Sequence, residues 1–279
     1  MQGQLKEYVE KKYDSFVLYF NSSLVGQDIN DIHQLRVTIK ELRALWMLIE
    51  WASQKTYKKA PHFSSISPLF KKAGQLREAQ VNYSMVQNMR TSYMKYYKEH
   101  LIDVQEITVV HLLVTMESFD LEGYQKLNKG MYEAIDNLTP LDFRKSIVEI
   151  ILQKSVKIEN LRKSLPNDKK LHKIRTHLKV IKELFQIMKT LNLTKGLEKL
   201  RNQNITICRY MGEWHDHVVL LHSLQALDIS LMSKGNTRYF QNFIHRIKVK
   251  EENKKNIVMT KLNNYLQAQN SARMLRLTL

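Results

Sequence analysis

The stretch His33-Gln-Leu-Arg36-Val-Thr-Ile-Lys40-Glu-Leu-Arg43, running on into Ala44-Leu45-Trp46-Met-Leu-Ile49, decides the fold class. Its apolar residues Leu35, Ile39, Leu42, Leu45, Trp46 and Ile49 recur at three- and four-residue intervals, the period of a helix with one dry face. At about 100° per residue, His33, Arg36, Lys40 and Arg43 fall within an arc of roughly 80° beside that face. The same apolar spacing continues along the chain and predicts helices near 4–21, 29–53, 66–98, 100–117, 121–137, 141–163, 168–190, 195–209, 213–231 and 236–275. No alternating strand pattern survives for more than a few residues. The prolines Pro61, Pro68, Pro140 and Pro166 lie in polar stretches and read as helix breaks or first-turn residues. The predicted fold is all-α.

The decisive stretch occurs twice. His172-Lys-Ile-Arg175-Thr-His-Leu-Lys179-Val-Ile-Lys182 aligns with it, pairing His33 with His172, Arg36 with Arg175, Lys40 with Lys179 and Arg43 with Lys182. The apolar positions match as well: Leu35 with Ile174, Ile39 with Leu178, Leu42 with Ile181. A second element trails each copy, Gly74-Gln-Leu-Arg77-Glu78 and Gly212-Glu-Trp-His215-Asp216. A fixed offset between two matching elements marks an internal duplication. The chain is therefore divided into homologous helical halves, 1–139 and 140–279, joined near Leu138-Thr139-Pro140.

Charge says what the partner carries. In 279 residues, 44 Lys and Arg stand against 27 Asp and Glu, a net charge of +17. Such a field attracts phosphate polymers or other polyanions. A hydrophobic content of 43% separates the chain from a disordered polycation. The single cysteine, Cys208, excludes an internal disulfide framework and a Cys-rich zinc site; in ITICRYM it reads as core packing, and it suggests a reducing, cytoplasmic compartment. The longest uncharged runs, Ile107–Met116 and His217–Leu227, fall short of the ~20 residues of a membrane helix. The charged start MQGQLKEYVEKKYDS does not read as a secretory signal.

Two like-charged stripes at equivalent positions are more than a solvated face. Like charges three or four residues apart cost roughly 0.2–0.5 kcal/mol per pair, so ordinary surface helices intersperse acids. Here Glu41 is the only acid in the first copy and points off the stripe, and Glu183 lies at the edge of the second. Each ladder is about 15 Å long at 1.5 Å per residue, enough for several phosphates. Metal chemistry lacks its pattern, since no two of the ten histidines stand three or four apart. A metal site would require His33 and His172 to meet. Phosphate-cradling Gly-rich loops are missing, and Glu78 and Asp216 read as carboxylates that orient neighbouring cations. Tyr93, Tyr96 and Tyr97 interleave with Lys95 and Lys98 as an RNA-stacking surface could, or simply pack on a bundle. The run HRIKVKEENKK reads as a solvated helix with Arg246, Lys250 and Lys254 on a basic face. A helical scaffold for another protein is a third class.

This duplicated pattern resembles the CHAD family, the conserved histidine α-helical domain. Each half of that family carries a His-x-x-Arg-x-x-x-(Arg/Lys)-x-x-Arg helix, followed about forty residues later by Leu-Gly-x-x-Arg-Asp or a variant. The resemblance implies two four-helix bundles related by a pseudo-twofold, with a basic groove that binds inorganic polyphosphate without catalysis or cofactor. It also implies a cytoplasmic location, with association with polyphosphate granules. Carried over by position, the phosphate ligands are His33, Arg36, Lys40, Arg43, Arg77, His172, Arg175, Lys179, Lys182 and His215. Lys71 and Arg209, each three residues before its glycine, join them. The chain departs from the pattern where Glu78 replaces Asp, His215 stands for Arg, Glu41 replaces a base, and Lys182-Glu183 replaces the frequent Arg-Tyr. The Glu-x-Glu-x-Lys signature of a fused triphosphatase is absent, so that activity is not expected. Nucleic acid is the alternative partner.

Overall fold

The computed structural model describes residues 2–26, 28–163, 167–230 and 232–276. Ten helices hold nearly all of them: α1 (Gln2–Gly26), α2 (Ile29–Ala52), α3 (Ala60–Val86), α4 (Ser92–Glu117), α5 (Leu121–Lys126), α6 (Asn128–Asp136), α7 (Pro140–Lys163), α8 (Asp168–Thr190), α9 (Glu198–Gln225) and α10 (Lys234–Arg276). The all-α expectation is met, and among the described residues no helix is long and apolar enough to cross a membrane.

Two compact units share these helices. The first contains α1, α2, α5 to α8, α3 through Gly74, α4 from Val109 and the start of α9 through Arg201. In it α1 packs on α2, α7 on α8, and α2 on both α7 and α8. Leu35, Ile39, Leu42, Leu45, Trp46 and Ile49, the whole predicted dry face of α2, are fully buried. Around them Phe16, Phe20, Phe119 and Tyr124 form a ring cluster with centroids 5.3–6.1 Å apart. The second unit contains α3 from Gln75, α4 through Thr108, α9 from Asn202 and α10. Its core joins Met94, Tyr97 and Leu101 of α4 to Leu220 and Leu224 of α9 and Phe240, Phe243 and Ile247 of α10. Tyr97 is thereby buried, its hydroxyl donating to Ser223 Oγ at 2.9 Å, and Tyr93 and Tyr96 pack against the same cluster.

The motif helices are delimited by local chemistry. Asp28 caps α2 through Oδ1 to the Asn30 and Asp31 amides, and Asn167 caps α8 through Oδ1 to the Lys170 amide at 3.0 Å. Past their C-termini the chain takes left-handed φ values, 50° at Gln54, 66° at Lys55 and 56° at Asn192, which end the ladder as an αL cap does.

Several expected boundaries move. The single helix expected over 66–98 is two, because the chain turns between Val86 and Ser92 while Lys98 Nζ caps the Met89 carbonyl at 2.9 Å. The pair expected over 195–209 and 213–231 is one helix, α9; Gly212 costs about 1 kcal/mol there, outweighed by burial of Ile207, Met211 and Trp214 on its flanks. The helix expected over 121–137 divides into α5 and α6 at Leu127. Pro61 and Pro140 do occupy first turns, but Pro68 lies inside α3. That helix begins eight residues earlier than Pro68, and Ser64, Ser65 and Ser67 donate their hydroxyls to the Ala60, Pro61 and Phe63 carbonyls of the turns before it. Pro166 and Leu231 lie outside the described residues. Cys208 is half-buried rather than a core residue, its thiol 3.8 Å from Asn204 Oδ1.

Candidate anion-binding site on the paired motif helices

Because α2 packs on α8 within the first unit, the two sequence stripes meet. Lys40 registers the meeting. Burial, Arg36 on its own helix, and Arg175 and Lys182 on α8 push its pKa down to about 8, with only Glu183 opposing. His172 titrates below its ordinary range through burial and the nearby Arg175 and Lys179, so its imidazole is neutral at pH 7 and can donate one hydrogen bond. Four stripe residues on each helix, together with the exposed Lys71 of α3, belong to this unit. The other expected ligands, Arg77, Arg209 and His215, belong to the second unit.

Aromatic side chains set the direction of the first-copy arginines. Arg36 lies over the Phe70 ring at 4.7 Å and its Nη1 donates to the Phe70 carbonyl at 2.8 Å. Arg43 lies 4.6 Å from the Phe63 ring centre and 5.1 Å from that of Phe70. Such stacking fixes the plane and direction of a guanidinium. Burial lowers the Arg43 pKa, and an arginine so placed still keeps its charge. The Phe63-to-Phe70 spacing of two turns was visible in the sequence, but nothing there linked it to the stripe.

The acids of the motif are held on the side of α1. Glu41 pairs with Lys12 of α1 at 2.8 Å. Glu183 titrates above its ordinary range, driven first by burial and also by Glu41, while Lys182, Lys40 and Lys12 pull it back. Burial, Glu41 and Glu183 together raise the Tyr8 hydroxyl well above its usual value. Lys12 is thus a counter-ion beside two close carboxylates, and sequence reasoning missed it because α1 carries no motif. In the second unit, Glu213 holds Lys254 at 2.9 Å, Trp214 Nε1 donates to Glu251 at 2.6 Å, and the Tyr210 ring carries Arg209 at 5.0 Å and Lys261 at 5.6 Å.

Gly74 explains the trailing element of the first copy. A Cβ built there would stand 2.5 Å from Arg36 Nη1, so glycine makes room for the guanidinium. The model of the CHAD domain matches residues 7–225, which include both motif helices and both trailing elements. The chain belongs to the CHAD family. No curated protein matches it. Among solved structures it is similar to the CHAD domain of the plant Ricinus communis, with a TM-score of 0.73, 13% identity, and coverage of 94% of this chain and 91% of that one. At that identity the likeness speaks for the fold alone.

The two CHAD glycines are not equivalent here, since a Cβ at Gly212 meets nothing within 4 Å. Gly74→Ala is expected to displace Arg36 and weaken polyanion binding severalfold while leaving helicity intact. Gly212→Ala should leave binding unchanged and raise stability by up to about 1 kcal/mol through helix propensity. Melting curves and a polyphosphate titration of both variants check the contrast; equal binding losses would show that Arg36 placement is not what Gly74 serves.

Proposed function

We propose that this CHAD protein binds inorganic polyphosphate, without catalysis, in a basic groove along α2 and α8. The observation that carries the reading is the packing of α2 on α8, which sets Lys40 near Arg36 on its own helix and near Arg175 and Lys182 on the other. An array that repels itself when empty becomes favourable when a polyanion threads it. Each sequence half, 1–139 and 140–279, supplies one motif helix, so a linear phosphate chain would meet two matched ladders. In this reading Arg36, Arg43 and Arg175 grip phosphate oxygens in pairs, Lys40, Lys71, Lys179 and Lys182 act as point charges, and His33 and His172 donate hydrogen bonds. Arg77 and His215 are retained as ligands on the motif match alone, and Arg209 on its place three residues before Gly212. A cytoplasmic protein at polyphosphate granules is the setting this activity fits.

Polyphosphate is preferred over RNA on physical grounds. Its phosphates are not spaced by sugars and bases, so more charge loads onto a ladder of about 15 Å. The tyrosines that could have stacked bases are engaged in the second unit, Tyr97 in its core and Tyr93 against Tyr239 at 6.2 Å. The test is a competition of long polyphosphate against RNA, DNA and orthophosphate at matched phosphate and salt concentration. Polyphosphate should displace RNA by at least tenfold; equal or better binding of RNA would replace this reading with a nucleic-acid one.

A further inference from the structure

Lys154 stands on α7 where an aliphatic side chain would be expected. At about 100° per residue it points with Phe143, Ile147, Ile150, Ile151 and Ile158, all buried, and it is itself half-buried. On α8, His177 shares the side of Leu184 and Met188, about 180° around the helix from the stripe of His172, Arg175, Lys179 and Lys182. The packing of α7 on α8 brings these groups together. Burial lowers the Lys154 pKa, and Lys157 and Lys59 lower it further. Burial, Lys154 and Lys157 push His177 down to about 4.

One acid, Glu50, reaches the edge of this cluster, where it is paired with Lys59. Among the described residues Lys154, Lys157 and His177 form no ion pair, while Glu159 pairs with Lys163 and Glu149 accepts from the Trp51 indole. A half-buried ammonium in an apolar seam, pressed by two others and an imidazole, is costly unless an anion joins it. A structural lysine in such a seam would be expected to carry a carboxylate, as Glu183 accompanies Lys40.

We propose that Lys154, Lys157 and His177 form a second oxyanion site that takes a phosphate-type dianion, separate from the paired motif stripes. The lysines supply charge and His177 an N–H, the imidazole taking up a proton when the dianion arrives. The site does not depend on the polyphosphate reading. Its ligand is either free inorganic phosphate or pyrophosphate, or a phosphoryl unit of a longer phosphate chain.

The test is histidine ¹³C NMR of the full chain at about pH 6, where a neutral imidazole can still be driven to imidazolium. His177→Gln assigns the resonance. Inorganic pyrophosphate is titrated into the wild type, a Lys40→Gln/Lys179→Gln variant and a Lys154→Gln/Lys157→Gln variant. The His177 signal should move saturably toward the imidazolium position in the first two and stay fixed in the third. Failure to move at millimolar pyrophosphate, or equal movement in the third variant, would overturn the proposal. Long polyphosphate is then added to the Lys40→Gln/Lys179→Gln variant: a shift identifies a unit of a chain as a ligand, and a shift with pyrophosphate alone identifies the free anion. As a second measurement, Lys154→Met should raise the melting temperature without anion and abolish the rise that pyrophosphate produces in the Lys40→Gln/Lys179→Gln background. An undiminished rise would sink the site. Loss of polyphosphate binding in the stripe variant with an intact His177 response would count against neither site, so the two proposals fail separately.

Discussion

Replacing Arg36, Lys40, Arg175 and Lys179 together by Gln should lower polyphosphate affinity at least a hundredfold at moderate salt. The change removes four of seventeen net positive charges, so a general electrostatic field would lose only part of its pull. A contact ladder would lose much more, because each phosphate contact releases a condensed counterion, and each lost contact flattens the slope of log affinity against log salt by somewhat under one. The slope should therefore fall by several units. Stability should hold or rise, since Lys40 no longer faces Arg36, Arg175 and Lys182 across partly dry space. Lys11, Lys126, Lys129 and Lys145 are exposed and outside both stripes, and replacing those four by Gln provides a variant of the same net charge. The same loss of affinity and the same slope in both variants would dissociate binding from the motif.

The second large effect concerns acid. His62 is buried at 2% exposure between the rings of Trp46 and Tyr124, with Nδ1 3.0 Å from the Tyr57 hydroxyl. Burial lowers its pKa from 6.5 to about 4, and Asn128 offsets only part of this. The unfolded chain therefore takes up a proton below about 6.5 that the folded chain refuses until about 4. Over that window the unfolded state binds more protons, so stability falls as pH falls. At about 1.4 kcal/mol per pKa unit, the loss from this one side chain approaches 3 kcal/mol by pH 4. His177 acts in the same direction from a half-buried position. Urea unfolding at pH 7 and about 4.5 should show the wild type losing markedly more stability than His62→Phe. At pH 7 the variant should itself be weaker by about 1 kcal/mol through the lost Tyr57 bond. Parallel pH dependence of the two proteins would acquit His62.

Both effects trace back to what a linear pattern can and cannot encode. Leu35, Ile39, Leu42, Trp46 and their counterparts Ile174, Leu178 and Ile181 announced helices and dry faces by spacing alone, and every one of them is buried. Helix α8 lies over the predicted 168–190, because Asn167 and Asn192 supply its local start and stop. The stripe His33-Arg36-Lys40-Arg43 and its repeat were equally legible, since a helical face is a property of residues three and four apart. Lys12, Phe63 and Phe70 were not, because the side chains they meet belong to other helices.

What the sequence by itself determined is therefore the helical class, the duplication and the two cationic stripes, all consequences of short-range periodicity and a surplus of bases. Only the tertiary structure decided that α2 lies on α8, so that Lys40 feels Arg175 and Lys182, that Gly74 yields its Cβ space to Arg36, and that Lys154 meets His177. It also decided that α3, α4 and α9 each contribute to both compact units. The physical reason is that hydrophobic burial is non-directional: a helix declares which face must leave water, while its partner is chosen by how whole surfaces fit.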